Sequence, residues 1–171
     1  MTDHPDSDRL ESSARRLGDI LRKQGRLMVT AESCTGGWIA QTVTAIAGSS
    51  QWFDRGYITY SNRAKREVLG VAERSLITYG AVSAEIAAQM ALGALEAAKV
   101  AVAVAVTGVA GPDGGTRENP VGTVWFGWCI AGALPVTKLE RFDGDRRSVR
   151  AQTVAIALDG LIELTSTGTV V

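Results

Sequence analysis

The chain of 171 residues has one histidine, His4, and two cysteines, Cys34 and Cys129. His4 sits in the polar start "MTDHPDSD", an end expected to fray, so Ser-His-Asp triads, Cys-His dyads and histidine-bearing metal centres lack their imidazole. Two cysteines make no disulfide framework, and no basic start followed by an apolar run opens the chain, which points to a reducing cytoplasm. The longest apolar run, Val100 to Val106, is too short to cross a bilayer, so no membrane role is expected. Eighteen basic residues balance eighteen acidic ones without a basic block. The electrostatic footprint of a nucleic-acid binder is therefore missing, and a small-molecule substrate fits better.

What is present is a composition close to the globular average, with 46% hydrophobic and 21% charged residues. The length suits one domain over residues 1–171, with residues 1–8 and 166–171 expected to fray. Helical spacing of Leu10, Leu17, Ile20 and Leu21, stopped by Gly25, predicts a helix over 8–24. "RLMVTAES" reads as a strand, Thr35 to Gly37 as a turn, and Trp38 to Ala47 as a helix starting beside Ser33. "WFDRGYITYSN" reads as a second strand, with Ser61 or Asn62 capping the helix "RAKREVL" that Gly70 ends. A short helix over 73–79 precedes the Ala-rich helix opened by Ser83. "VAVAVAV" has the pattern of a strand buried on both faces. Two further strands, "VGTVWFGWCIAG" and "LPVTKLERFD", predict an antiparallel hairpin, and "RRSVRAQTVAIALDGLIEL" a closing helix. This order implies an α/β fold, a three-layer α/β/α sandwich on a mixed, mostly parallel sheet.

Within "TAESCTGG", Ser33 stands where a strand hands over to a helix, with turn amides free to face an oxyanion. An isolated S-x-x-G-G stretch reads more readily as a helix cap, by Thr35 or Ser33, with turn glycines. Cys34 lacks an activating imidazole and reads as core. Glu32 reads as paired with a neighbouring N–H or a lysine and takes no chemical step. Lys65, early in its helix, is placed where the dipole and burial disfavour its charge, and a neutral lysine can activate a serine. A solvated surface lysine is the competing reading. Tyr60 could pass a proton or pack in the core. "TGVAGPDGG" (107–115) is neither a P-loop nor a Rossmann fingerprint, and reads as a phosphate or ribose cradle or as a plain turn. Arg146, Arg147 and Arg150 oppose the dipole of the helix they open, which suits either a phosphate or a solvated face.

Taken together, "TAESCTGGWIAQTVTAIAGSSQWFDRGYITYSNRAKREVLGV", "GAVS", "VTGVAGPDGGTRENPVGTVWFGW" and "FDGDRRSVRAQTV" closely resemble the CinA C-terminal domain family, the nicotinamide-nucleotide amidases. The resemblance spans about residues 10 to 162. It implies hydrolysis of the carboxamide of nicotinamide mononucleotide to nicotinate mononucleotide and ammonia in pyridine-nucleotide salvage, with no metal and no cofactor. It assigns Ser33 as nucleophile, Lys65 as base and Tyr60 as its assistant. It also places Thr107 and Arg146 at the site, in a fold that is commonly dimeric. Thr35, Gly36, Gly37, Gly108 and Gly111 complete the expected substrate-binding set. Some members carry a further N-terminal domain linked to ADP-ribose pyrophosphatase activity, and that activity is not expected of these residues.

Overall fold

The computed structural model describes residues 5–168 and 170; His4 and part of each end expected to fray lie outside the described residues. Twelve elements follow one another: α1 (Pro5–Gln24), β1 (Met28–Glu32), α2 (Trp38–Thr44), a 3-10 turn (Ser49–Gln51), β2 (Phe53–Ile58), α3 (Asn62–Leu69), α4 (Glu73–Tyr79), α5 (Ala84–Ala98), β3 (Val102–Gly108), β4 (Thr123–Ile130), β5 (Val136–Arg141) and α6 (Arg146–Thr167). Residues 5–8 and 166–167 are thus helical where fraying was expected. Helix α2 stops before Ala47 because Gly48, at φ 80°, turns the chain into the 3-10 segment. The other elements fall where the spacing predicted them.

The strands form one sheet in the order β2-β1-β3-β4-β5. β1 pairs in parallel with both β2 and β3, while β4 pairs antiparallel with β3 and β5. Four strands therefore point one way and β4 alone runs against them, which is the mixed, mostly parallel sheet expected.

Alternation along β3 divides the core. Val102, Val104 and Val106 join a cluster with α1, α2 and α6 residues, including Leu17, Ile39 and Leu158. Ala103 and Ala105 face the opposite cluster, with Leu69 of α3, Leu76 of α4 and Met90 of α5. The bulky stripe supports the layer of long helices, and the alanine stripe lets α5 lie close to the sheet. The two buried cysteines belong to opposite clusters, Cys34 to the first and Cys129 to the second, and both are free thiols. No helix among the described residues is long and apolar enough to cross a membrane.

The helix α3 is seated on α5 through a glycine. A Cβ built on Gly93 would come within 1.9 Å of the Leu69 carbonyl oxygen at the end of α3. In an open helix Gly→Ala stabilises by about 1 kcal/mol. Here the sign inverts, because the methyl group can enter only by displacing α3. Gly93→Ala is expected to lower stability by about 1–3 kcal/mol, the cost typical of overpacking. Urea titration checks it, and a gain in stability would contradict the packing.

Candidate active site

Every residue of β1 is buried, and the strand's alternation decides where its last side chains go. Met28 packs on the α1/α2/α6 side and Val29 and Ala31 on the α3/α4/α5 side. Glu32 reaches α2 on the first side, and Ser33, one residue further, reaches Lys65 of α3 on the second. The backbone of this handover is pinned by both neighbours. The Ser33 N–H donates to the Val106 carbonyl of β3 at 3.1 Å, and the Thr59 N–H donates to the Glu32 carbonyl at 2.9 Å.

Lys65 is carried one turn into α3, whose N-cap Ser61 accepts from the Ala64 N–H and whose end is set by Gly70 in the left-handed region. Only 1% of Lys65 is exposed. Its Nζ donates to Ser33 Oγ at 2.9 Å, to the Thr59 carbonyl at 2.8 Å and to the Tyr60 carbonyl at 3.4 Å. No carboxylate pairs with it among the described residues. Burial lowers its pKa from the ordinary 10.5 to about 8. The solvated-lysine reading is thereby removed. A neutral amine held on two carbonyls keeps its lone pair for the serine O–H, the geometry a Ser-Lys pair requires.

Cys34 is buried, and burial pushes its thiol up to about 12. It carries no thiolate at neutral pH and is no rival nucleophile.

A cavity of about 260 Å³ opens beside the pair. Ser33, Lys65 and Tyr60 line it on one side, and Thr107, Gly108, Gly111 and Arg146 on another. The Thr107 hydroxyl is turned away, donating to the Ala81 carbonyl at 2.8 Å. Arg146 donates to the Gly111 carbonyl at 3.0 Å and to the Tyr60 hydroxyl at 3.1 Å. It spans two loops on neutral acceptors, so its charge stays available to an anion. The Tyr60 phenol faces this arginine, and what reaches Lys65 is the Tyr60 carbonyl.

Three expected site residues are not in the cavity lining. Thr35 donates its hydroxyl to Glu32 at 2.7 Å, Gly37 donates its N–H to the same carboxylate at 3.1 Å, and Gly36 is exposed next to the Arg150 guanidinium. Arg150 donates to the Thr35 carbonyl at 2.7 Å. With Arg147 it lies over the Trp38 ring, so of the three arginines only Arg146 meets the cavity. Neither Ser33 nor Thr35 caps α2; Glu32 does. Asn62, Ala81, Val82 and Asp113 also line the cavity and were not named as site residues, although each lies within a motif already quoted. Among the described residues no group of three or more His, Cys, Asp and Glu is placed to hold a metal ion.

The three-layer α/β fold thus carries a buried serine-lysine contact beside a cavity that Arg146 lines. The family model for the CinA C-terminal domain matches residues 10–165, and the chain belongs to that family. It is 50% identical over 156 residues to the nicotinamide-nucleotide amidohydrolase PncC of Escherichia coli K12, covering 91% of this chain and 94% of that protein. Identity to the protein of the same name from Pseudomonas putida is also 50%, over 92% of this chain and 98% of that one. The crystal structure of the competence/damage inducible protein CihA from Agrobacterium tumefaciens superposes with a TM-score of 0.90 at 45% identity, covering 96% and 99% of the two chains.

The buried amine has a consequence for stability. Below about pH 8 both the folded and the unfolded chain carry a protonated Lys65, and the cost of burying the charge is full. Between about 8 and 10.5 the folded chain holds fewer protons than the unfolded one, so this cost shrinks as pH rises. A lowering of that size corresponds to about 3 kcal/mol. Lys65→Met removes the titration. Relative to this variant, wild type is expected to gain stability between pH 7.5 and 10, read by denaturant unfolding across pH. Parallel curves would overturn the assignment of a depressed amine.

Proposed function

We propose that this chain is a nicotinamide-nucleotide amidohydrolase, converting nicotinamide mononucleotide and water to nicotinate mononucleotide and ammonia. The observation that carries the reading is the 2.9 Å contact between Ser33 Oγ and Lys65 Nζ, a buried amine that pairs with no carboxylate among the described residues. Family membership and the activity for which the PncC relatives are named support the substrate.

Neutral Lys65 takes the Ser33 proton as Oγ attacks the carboxamide carbon. The tetrahedral oxyanion needs N–H donors, and the Glu32 carboxylate already occupies the Gly37, Ile39 and Ala40 amides. The N–H groups that Glu32 leaves at the elbow beside Ser33 are the donors assigned here. Collapse breaks the C–N bond, Lys65 returns its proton to the departing amine, and ammonia leaves an ester on Ser33. Water, deprotonated by the same amine, then releases the acid and restores the hydroxyl. Arg146 supplies the charge for the 5′-phosphate, and Tyr60 holds Arg146 in place. The expected setting is pyridine-nucleotide salvage in the cytoplasm, with the enzyme as a dimer.

Ser33→Ala is expected to lower ammonia release by about 10⁴-fold or more. Wild-type kcat/KM should rise with pH through a limb near the Lys65 value of about 8. Arg146→Ala should raise KM for the mononucleotide by about 10-fold or more. Turnover by Ser33→Ala near the wild-type rate would refute the nucleophile. Equal hydrolysis of nicotinamide, which has no phosphate, would refute the role of Arg146. Calorimetric binding without turnover would favour a non-catalytic nucleotide-binding module, and preference for another amide in a substrate panel a different serine amidohydrolase.

A further inference from the structure

Glu32 is fully buried and lies outside the chemistry just described. Its carboxylate accepts from the Thr35 hydroxyl at 2.7 Å and from the N–H groups of Gly37, Ile39 and Ala40 at 3.1, 3.0 and 2.8 Å. The Thr30 hydroxyl adds a fifth bond at 3.2 Å. An anion buried this deeply is tolerated because a helix N-terminus and two hydroxyls replace its water. The same bonds also fix the path of residues 33–37, since both ends of the turn are tied to one side chain. On the outer side Arg150 holds the Thr35 carbonyl, and the Gly36 N–H closes on the Ser33 carbonyl at 3.0 Å.

We propose that Glu32 is a positioning residue for Ser33, its carboxylate binding the Thr35 hydroxyl and the first amides of α2 into one rigid turn that aims the serine oxygen at Lys65. Glu32 touches neither substrate nor reacting atoms; it acts through Thr35. A serine on a loose turn would spend much of its time out of line with the amine, and misplacement of about 1 Å can cost 100-fold in rate. The proposal rests on the reading of Ser33 as nucleophile.

Glu32→Gln is the direct variant, but it sets an NH₂ group against helix amides and can compromise folding. Thr35→Val is the second variant: it keeps the shape and removes one bond. Both are compared with wild type by kcat and KM on nicotinamide mononucleotide, by circular dichroism, and by the rate at which a small sulfonyl fluoride modifies Ser33, read by intact mass. For folded Thr35→Val, kcat and the sulfonylation rate are expected to fall together by about 10-fold or more, with KM within about 2-fold of wild type. Thr35→Ser, which keeps the hydroxyl, should recover most of the loss. Folded Thr35→Val reacting and turning over at wild-type rates would overturn the proposal. So would losses in both variants that track only the unfolded fraction. Failure of the nucleophile reading looks different: the wild type would take no adduct at Ser33, and Ser33→Ala would keep its turnover.

Discussion

The site depends on a strand that is buried on both faces to its last residue. Because β1 alternates without interruption, Glu32 and Ser33 must leave the sheet in opposite directions. One reaches the N-terminus of α2 and the other the amine on α3. A one-residue slip of β1 would send the carboxylate toward Lys65 and the hydroxyl into the α2 layer. The register with β2 and β3, on both sides of β1, therefore acts on the chemistry as well as on the core.

That division separates two electrostatic tasks which a short turn could otherwise confuse. The positive end of α2 is met by Glu32 and its field is largely used up there. Lys65, on the other side, has no counter-ion among the described residues, and its depressed pKa comes from burial. Had Glu32 faced Lys65, the pair would have formed a buried ion pair and the amine would have stayed protonated. The arrangement costs stability at neutral pH and in return leaves an amine that loses its proton more readily than an exposed lysine does.

Much of this was legible in the sequence because it is local or periodic. The seven-residue stripe of Val and Ala, the capping serines Ser61 and Ser83, and the Gly25 and Gly70 stops each depend on a few neighbouring residues. The absence of a usable histidine narrowed the choice of base before any geometry was known. Contacts across the fold were not legible from spacing. Ser33 and Lys65 are paired only because β2 and α3 return the chain to the end of β1. Thr35 and Gly37 stand in a motif that resembles a substrate loop, yet their polar groups serve Glu32. Arg146, Arg147 and Arg150 are nearly interchangeable in sequence. On α6 only the first, at the helix start, meets the cavity, while the other two cover Trp38.

Topology accounts for where the cavity lies. The chain leaves β1 through α2 on one face to reach β2, then returns through α3, α4 and α5 on the other face to β3, on the far side of β1. Connections that diverge from adjacent parallel strands leave a crevice at their carboxyl ends, where α/β sheets bind ligands. Ser33 ends one of these strands, and Thr107 and Gly108 end the other. The antiparallel β4 then brings the chain back along β3, so the loop between them must fold over the same crevice. That loop carries Gly111, whose carbonyl meets Arg146 arriving from the start of α6. Elements far apart in sequence thus converge on one end of the sheet, with the amine buried at the floor and the guanidinium at the rim.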